Sequence, residues 1–223
     1  MRFLKTALAT AGASALLVGT LAAPALADEN VPLYGGTTQI TTVAKVVPYL
    51  TGHGIVMTPG EEATNEVIIK NGVVRQRFGF GITTPSNLML EDDPITNEVG
   101  SVVGGSVGHF GAVKFLNTNK GKTLMLGGFV VNFDENRVFA TTLNGDPIDP
   151  VAAFRLVVID PPLYPVYDPV ISPTTATVSG INLYVTRNAA KTLNETLGTH
   201  AFKTDGTMKF AKVVTMANLV APV

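Results

Sequence analysis

Val67-Ile68-Ile69-Lys70-Asn71-Gly72-Val73-Val74-Arg75-Gln76-Arg77-Phe78-Gly79-Phe80-Gly81-Ile82 decides how this chain folds. Asn71-Gly72 joins two runs rich in Val and Ile, and Asn and Gly are the residues that accept the positive φ angles of a type I′ turn. From Val74 onward the even positions are Val74, Gln76, Phe78, Phe80 and Ile82, while the odd ones carry Arg75, Arg77, Gly79 and Gly81. A period of two with one apolar side predicts a strand with one buried and one wet face. The segment therefore reads as a β-hairpin seated on a core.

The same signals continue outward. Val102 to Leu116, Thr123 to Phe133 and Arg137 to Leu143 read as strands, with Asp134-Glu135-Asn136 as the turn before the last. Val151 to Ile159 is apolar apart from Arg155, as expected of a strand covered on both faces. Prolines at 161, 162, 165, 169 and 173 exclude regular structure from Asp160 to Pro173, which reads as a crossing loop within one domain. Two helices are expected. Arg187 to Leu197 places Ala189, Ala190, Leu193 and Leu197 on one face, with Thr186 or Asn188 to cap its start and Gly198 to close its end. Thr42 to Leu50 is a weaker helix, with Pro48 in its last turn and Gly52 after it. Residues 38–56 and 181–202 repeat a pattern of strand, Thr, helix, Gly, His and strand. The fold class predicted is all-β: a mainly antiparallel β-sandwich with two short α-helices, in a single domain over residues 28–223.

Residues 1–27 read as a signal peptide. Arg2 and Lys5 precede a stretch of Ala, Leu, Val, Gly and Thr, and Ala25-Leu26-Ala27 offers small residues to a signal peptidase. Gly12, Gly19 and Pro24 interrupt the run, which argues against a membrane-spanning helix. Cleavage after Ala27 leaves 14 basic and 17 acidic side chains out of 16 and 17 in the 223-residue chain. Near-neutral charge excludes the clustered cations that nucleic acid requires. The chain has no cysteine, so disulfides, thiolate metal sites, thiol catalysis and a lipid-modified cysteine anchor are all excluded. The expected product is secreted, extracellular or held non-covalently at the cell wall, and not an integral membrane protein once the leader is removed.

Gly104-Gly105-Ser106-Val107-Gly108 matches the G-x-S-x-G nucleophile elbow, with His109 beside it. An elbow requires a strand that turns sharply into a helix, and Phe110 to Phe115 reads as more strand, so Ser106 is not expected to be a nucleophile. The carboxylates fall in turn-like clusters without calcium-loop spacing. Of the three histidines, His53, His109 and His200, none has helical zinc-pair spacing. His109 shares the parity of Val107, Val113 and Phe115 and is expected to point inward, where its nitrogens need a partner, a ligand or a metal. No catalytic residue is assigned.

Gly180-Ile181-Asn182-Leu183-Tyr184-Val185-Thr186, Ala189-Ala190, Leu193-Asn194 and Leu197-Gly198-Thr199-His200-Ala201-Phe202 together resemble the closing unit of secreted actinobacterial domains of the HtaA type. Gly108-His109-Phe110-Gly111-Ala112-Val113, Phe129 to Asp134 and the Val138 to Leu143 strand are similar to the central unit of those domains. The resemblance spans roughly residues 100–210. It implies a β-sandwich-like envelope domain that captures haem through a tyrosine near its N-terminus, supported by the histidine of the Gly-His motif. His109 matches that histidine, and Tyr34 and Tyr49 are the candidates for the tyrosine. A non-catalytic envelope module with haem as ligand is thus the leading expectation. The alternative is a structural or interaction protein that meets other envelope components and takes no small ligand.

Overall fold

The computed structural model describes residues 29–92, 99–158, 169–171 and 174–221. The expected signal peptide and most of the proline-rich segment lie outside the described residues.

Among the described residues, fifteen strands and two helices follow one another. The first six strands are β1 (Glu29–Leu33), β2 (Gly36–Thr42), β3 (Ile55–Pro59), β4 (Thr64–Lys70), β5 (Val73–Gly81) and β6 (Ser86–Asp92). Then come β7 (Val99–Gly108), β8 (Ala112–Asn117), β9 (Lys122–Gly127), β10 (Val130–Asn132) and β11 (Arg137–Leu143). The last four are β12 (Asp146–Val158), β13 (Pro169–Ile171), β14 (Thr175–Val185) and β15 (Lys209–Asn218). Helix α1 (Val46–Gly52) joins β2 to β3, and α2 (Arg187–Leu197) follows β14. The strands form one curled antiparallel sheet in the order β1-β6-β7-β10-β11-β12-β14-β15-β2-β5-β4, from which β3, β8, β9 and β13 branch. The all-β antiparallel class with two short helices holds.

The hairpin forms where the Asn-Gly pair placed it: β4 and β5 pair from Thr64↔Gly79 to Lys70↔Val73, with φ of 53° at Asn71 and 72° at Gly72. Phe78 and Phe80 are buried on its inner face. They meet aromatic rings from distant strands, Phe80 packing edge-on to Phe129 at 5.4 Å between centroids. Phe154 and Phe210 close the layer at 5.1 Å. The void left among these rings is about 20 Å³, room for a single water, so side chains fill the interior there and it holds no ligand.

Several elements differ from the sequence reading. The strand expected over Val102 to Leu116 is two strands, because at the junction the His109 N–H donates to Phe129 O and the Phe110 N–H to Gly81 O, drawing the backbone across to other strands. The strand expected over Thr123 to Phe133 likewise divides into β9 and β10. In β12, Val151 and the residues before it are mostly exposed, so burial in that strand begins only at Ala153 and Phe154. Pro169 opens a three-residue strand on the flank of β14 inside the segment expected to be irregular. Proline is compatible with the first position of an edge strand because no neighbour there needs its N–H. Helix α1 begins four residues later than expected, which moves Pro48 from the last turn to the first, where the missing N–H has no partner to lose.

Helix α2 conforms. The Thr186 hydroxyl accepts from the Ala189 N–H, Gly198 closes the end in the left-handed conformation, and Ala189, Ala190, Leu193 and Leu197 are buried. The Asn117 side chain donates to the Leu197 carbonyl at 2.9 Å, tying the helix end to β8. The repeat of strand and helix is present at both places, but after α2 the chain passes through turns and reaches its next strand only at Lys209.

Candidate functional site

His109 points inward, as its parity required, and is 4 % exposed. Its Nδ1 lies 3.1 Å from the Phe129 carbonyl and its Nε2 2.6 Å from the Thr38 hydroxyl. A carbonyl can only accept, so Nδ1 carries the proton and Nε2 accepts from Thr38. The Thr38 oxygen then receives the hydroxyl of Thr215, 2.9 Å away. Burial holds the imidazole neutral, its pKa lowered to about 4 against the opposing effect of the bond to Phe129. Both ring nitrogens are satisfied within the protein, and neither tyrosine is among their partners.

Tyr34 and Tyr49 stand at opposite ends of β2. Tyr34 precedes the strand, its N–H donating to Asn218 O, and Tyr49 sits on the helix that follows it. The seven residues of β2 set the two ends roughly 20 Å apart, so the tyrosines cannot share one small ligand. Thr38, the partner of His109, lies four residues short of the Tyr49 end, roughly 13 Å of strand. The structure thus sets Tyr49 apart from His109, whereas Thr38 stands only two residues in from the Tyr34 end of β2.

Tyr49 has different company. Its ring lies 4.4 Å from that of His53, whose Nδ1 donates to the Tyr49 carbonyl at 2.8 Å. That bond fixes the tautomer and leaves Nε2 as the acceptor nitrogen. Tyr49 also lines a solvent-open cleft of about 500 Å³ between α1 and the turn leading into β15. Val43, Val46 and Met208 supply its apolar wall, and Lys45, Lys203 and Lys209 its cations. Thr207 also lines the cleft, and Asp205 accepts from both its N–H and its hydroxyl. Those two bonds hold the Asp205 carboxyl below the usual range, so the turn is anchored by an ionised group. The size suits a drug-sized organic ligand, and the lining combines an apolar body with a few polar groups.

Sequence reading missed this cleft because its two walls lie over 150 positions apart. The one local sign was Lys45 and Tyr49, four apart on a helix. Ser106 occupies a strand interior, opposite Asn87 on β6 and Asn132 on β10, and a bridge and another strand follow it rather than a helix. His200 is exposed in the turn after α2. Among the described residues no three His, Asp or Glu side chains gather as a metal site. Among them, too, no helix is long and apolar enough to cross a membrane.

No protein-family model matches the chain, and no curated protein matches it in sequence. Among solved structures, the C-terminal domain of HtaA from Corynebacterium glutamicum superposes with a TM-score of 0.50, covering 85 % of this chain and 99 % of that one at 15 % identity. The fold is that of the HtaA C-terminal domain. A domain-swapped dimer of the H434A variant of the same HtaA domain aligns at a TM-score of 0.39, with 15 % identity over 79 % of this chain and 92 % of the other. At this identity the likeness to HtaA concerns the arrangement of strands and helices, and the side chains of the cleft must be judged on their own chemistry.

Proposed function

We propose that the protein is a non-catalytic binding module exported to the cell envelope, and that the cleft beside Tyr49 takes haem. The observation that carries this reading is the composition of the cleft. A ferric porphyrin has a flat apolar body, two carboxylates and a metal ion that accepts a tyrosinate oxygen. Val43, Val46 and Met208 match the first, Lys45, Lys203 and Lys209 the second, and Tyr49 the third. His53 lies beside Tyr49, ring to ring at 4.4 Å and tilted by 43°. The HtaA-type fold agrees with the reading. His109 then has a structural part, as the hydrogen-bonded centre of the sheet. Such internal satisfaction of His109 also favours a second reading, an envelope interaction protein without a small ligand.

Titration of the purified protein with haemin separates the two. The haem reading expects a Soret band at micromolar haemin that is lost in Tyr49→Phe and kept in Tyr34→Phe. Absence of any band would leave the interaction reading standing, and equal loss in both variants would overturn the assignment of haem to the cleft beside Tyr49.

A further inference from the structure

Among the described residues, the sheet and its branches end in four terminal strands: β1, β3, β13 and β4. Three of them carry a proline, Pro32, Pro59 and Pro169, which withholds a donor and discourages pairing with another chain. Strand β4 has none. It runs seven residues as Thr-Asn-Glu-Val-Ile-Ile-Lys, in unbroken register with β5, and no described strand pairs with its other side. Val67 and Ile69 are 58 % and 70 % exposed, the most exposed large aliphatic side chains on any described strand. An open edge with an apolar face and no proline is a template for a further strand.

The hairpin decides which groups face outward. In a two-residue turn the flanking pair, here Lys70↔Val73, exchanges both backbone bonds, so Thr64, Glu66, Ile68 and Lys70 bond to β5. The N–H and C=O groups of Asn65, Val67 and Ile69 therefore point away from the sheet. We infer that β4 pairs antiparallel with β4 of a second copy of this chain, about a two-fold axis at Ile68. In this register Val67 bonds to Ile69 of the second copy and Ile69 to its Val67. Four exposed aliphatic side chains then meet on one face. On the other face Glu66 of each copy stands opposite Lys70 of the other. Glu66 is already held by Arg77 at 3.0 Å, so its carboxylate is preset on that face. Moving the axis one residue, to Val67, sets Glu66 against Ile68 and Asn65 against Ile69 and loses both matches, and this complementarity selects the occupant and the register.

Sedimentation equilibrium and cysteine cross-linking test the pairing. The protein is expected to show a monomer–dimer equilibrium, and Lys70→Glu or Glu66→Lys alone raises the dimer Kd about tenfold or more by setting like charges opposite each other twice. An equimolar mixture of the two variants restores association, because only the mixed dimer matches all charges. Since the chain has no cysteine, Ile68→Cys introduces a single thiol. Directly opposed residues of a non-bonded antiparallel pair stand roughly 4.5 Å apart, within disulfide reach, so this variant cross-links on mild oxidation and faster than Val67→Cys. A protein that stays monomeric to roughly 0.5 mM, far above the range of specific self-association, overturns the proposal. So does a dimer in which Ile68→Cys fails to cross-link, or one in which Val67→Cys cross-links first. None of these readings involves haem, so the outcome is independent of the cleft.

Discussion

The Nε2 atom of His109 accepts the Thr38 hydroxyl at 2.6 Å, joining the end of β7 to β2, strands that stand six places apart in the order of the curled sheet. Thr215 on β15 completes the chain, so three side chains hold together three segments that are far apart in sequence. Thr38→Val removes the donor to a buried imidazole and is expected to cost about 1–3 kcal/mol in urea unfolding. Thr38→Ser keeps the hydroxyl and should recover most of that loss. Equal effects from the two substitutions would show that the bond does not contribute.

The same histidine makes stability depend on pH. Its pKa is 6.5 in the free chain and about 4 in the fold, so between these values the unfolded state binds a proton that the folded state refuses. Unfolding free energy therefore falls as pH drops from about 6.5 to about 4, by roughly 3 kcal/mol, and this group adds no further loss below that. His109→Gln removes the titration and should flatten the slope across that window, measured by chemical unfolding at successive pH values. An unchanged slope would assign the acid sensitivity to other groups.

Gly105 explains why a sequence resembling a nucleophile elbow occurs in a strand. Its φ is +102°, and a Cβ there would stand 2.6 Å from Asn87 O and 2.8 Å from Leu88 Cα on β6. Gly105→Ala is expected to destabilise the protein by about 2 kcal/mol or more through backbone strain and a clash with a neighbouring strand. Ser106→Ala should leave stability within about 0.5 kcal/mol, as a half-buried strand serine without a catalytic part would. Thermal melts of both variants provide the check, and a similar drop in the two would contradict this reading.

The cations of the cleft offer a separate handle on ligand binding. Replacing Lys203 and Lys209 together by Ala is expected to weaken haemin binding about tenfold at low salt, with the gap to the parent protein closing as ionic strength rises. Lys212→Ala, on β15 but outside the cleft lining, is the control and should leave binding unchanged. Titrations at two salt concentrations distinguish charge attraction from simple loss of packing.

Much of the architecture was legible because its signals are local. Asn71-Gly72 specifies a turn by its own backbone preferences, and the pattern from Thr186 to Gly198 specifies a capped helix in the same way. The break at His109 was not legible, since it depends on carbonyls of Phe129 and Gly81, which the local alternation does not reveal. Pro48 misled for a related reason: its residue type excludes a helix interior but does not say which turn it occupies. The inward orientation of His109 followed from parity alone. Its partners Thr38 and Thr215 did not, because isolated threonines on strands carry no signal of what they face. The cleft shares that difficulty, as Tyr49 and Lys203 become neighbours only through the pairing of β2 with β15.

That pairing also orders events during synthesis. Strand β15 lies between β14 and β2, so the edge of β2 that faces β14 in the strand order stays unpaired until residue 209 has been made. The register Thr38↔Thr215 closes a loop of 177 residues, and contacts of such sequence separation form slowly. Until its last described strand emerges, a nascent chain can pair β1 with β6 and β2 with β5, but it lacks the strand that joins β2 to β14.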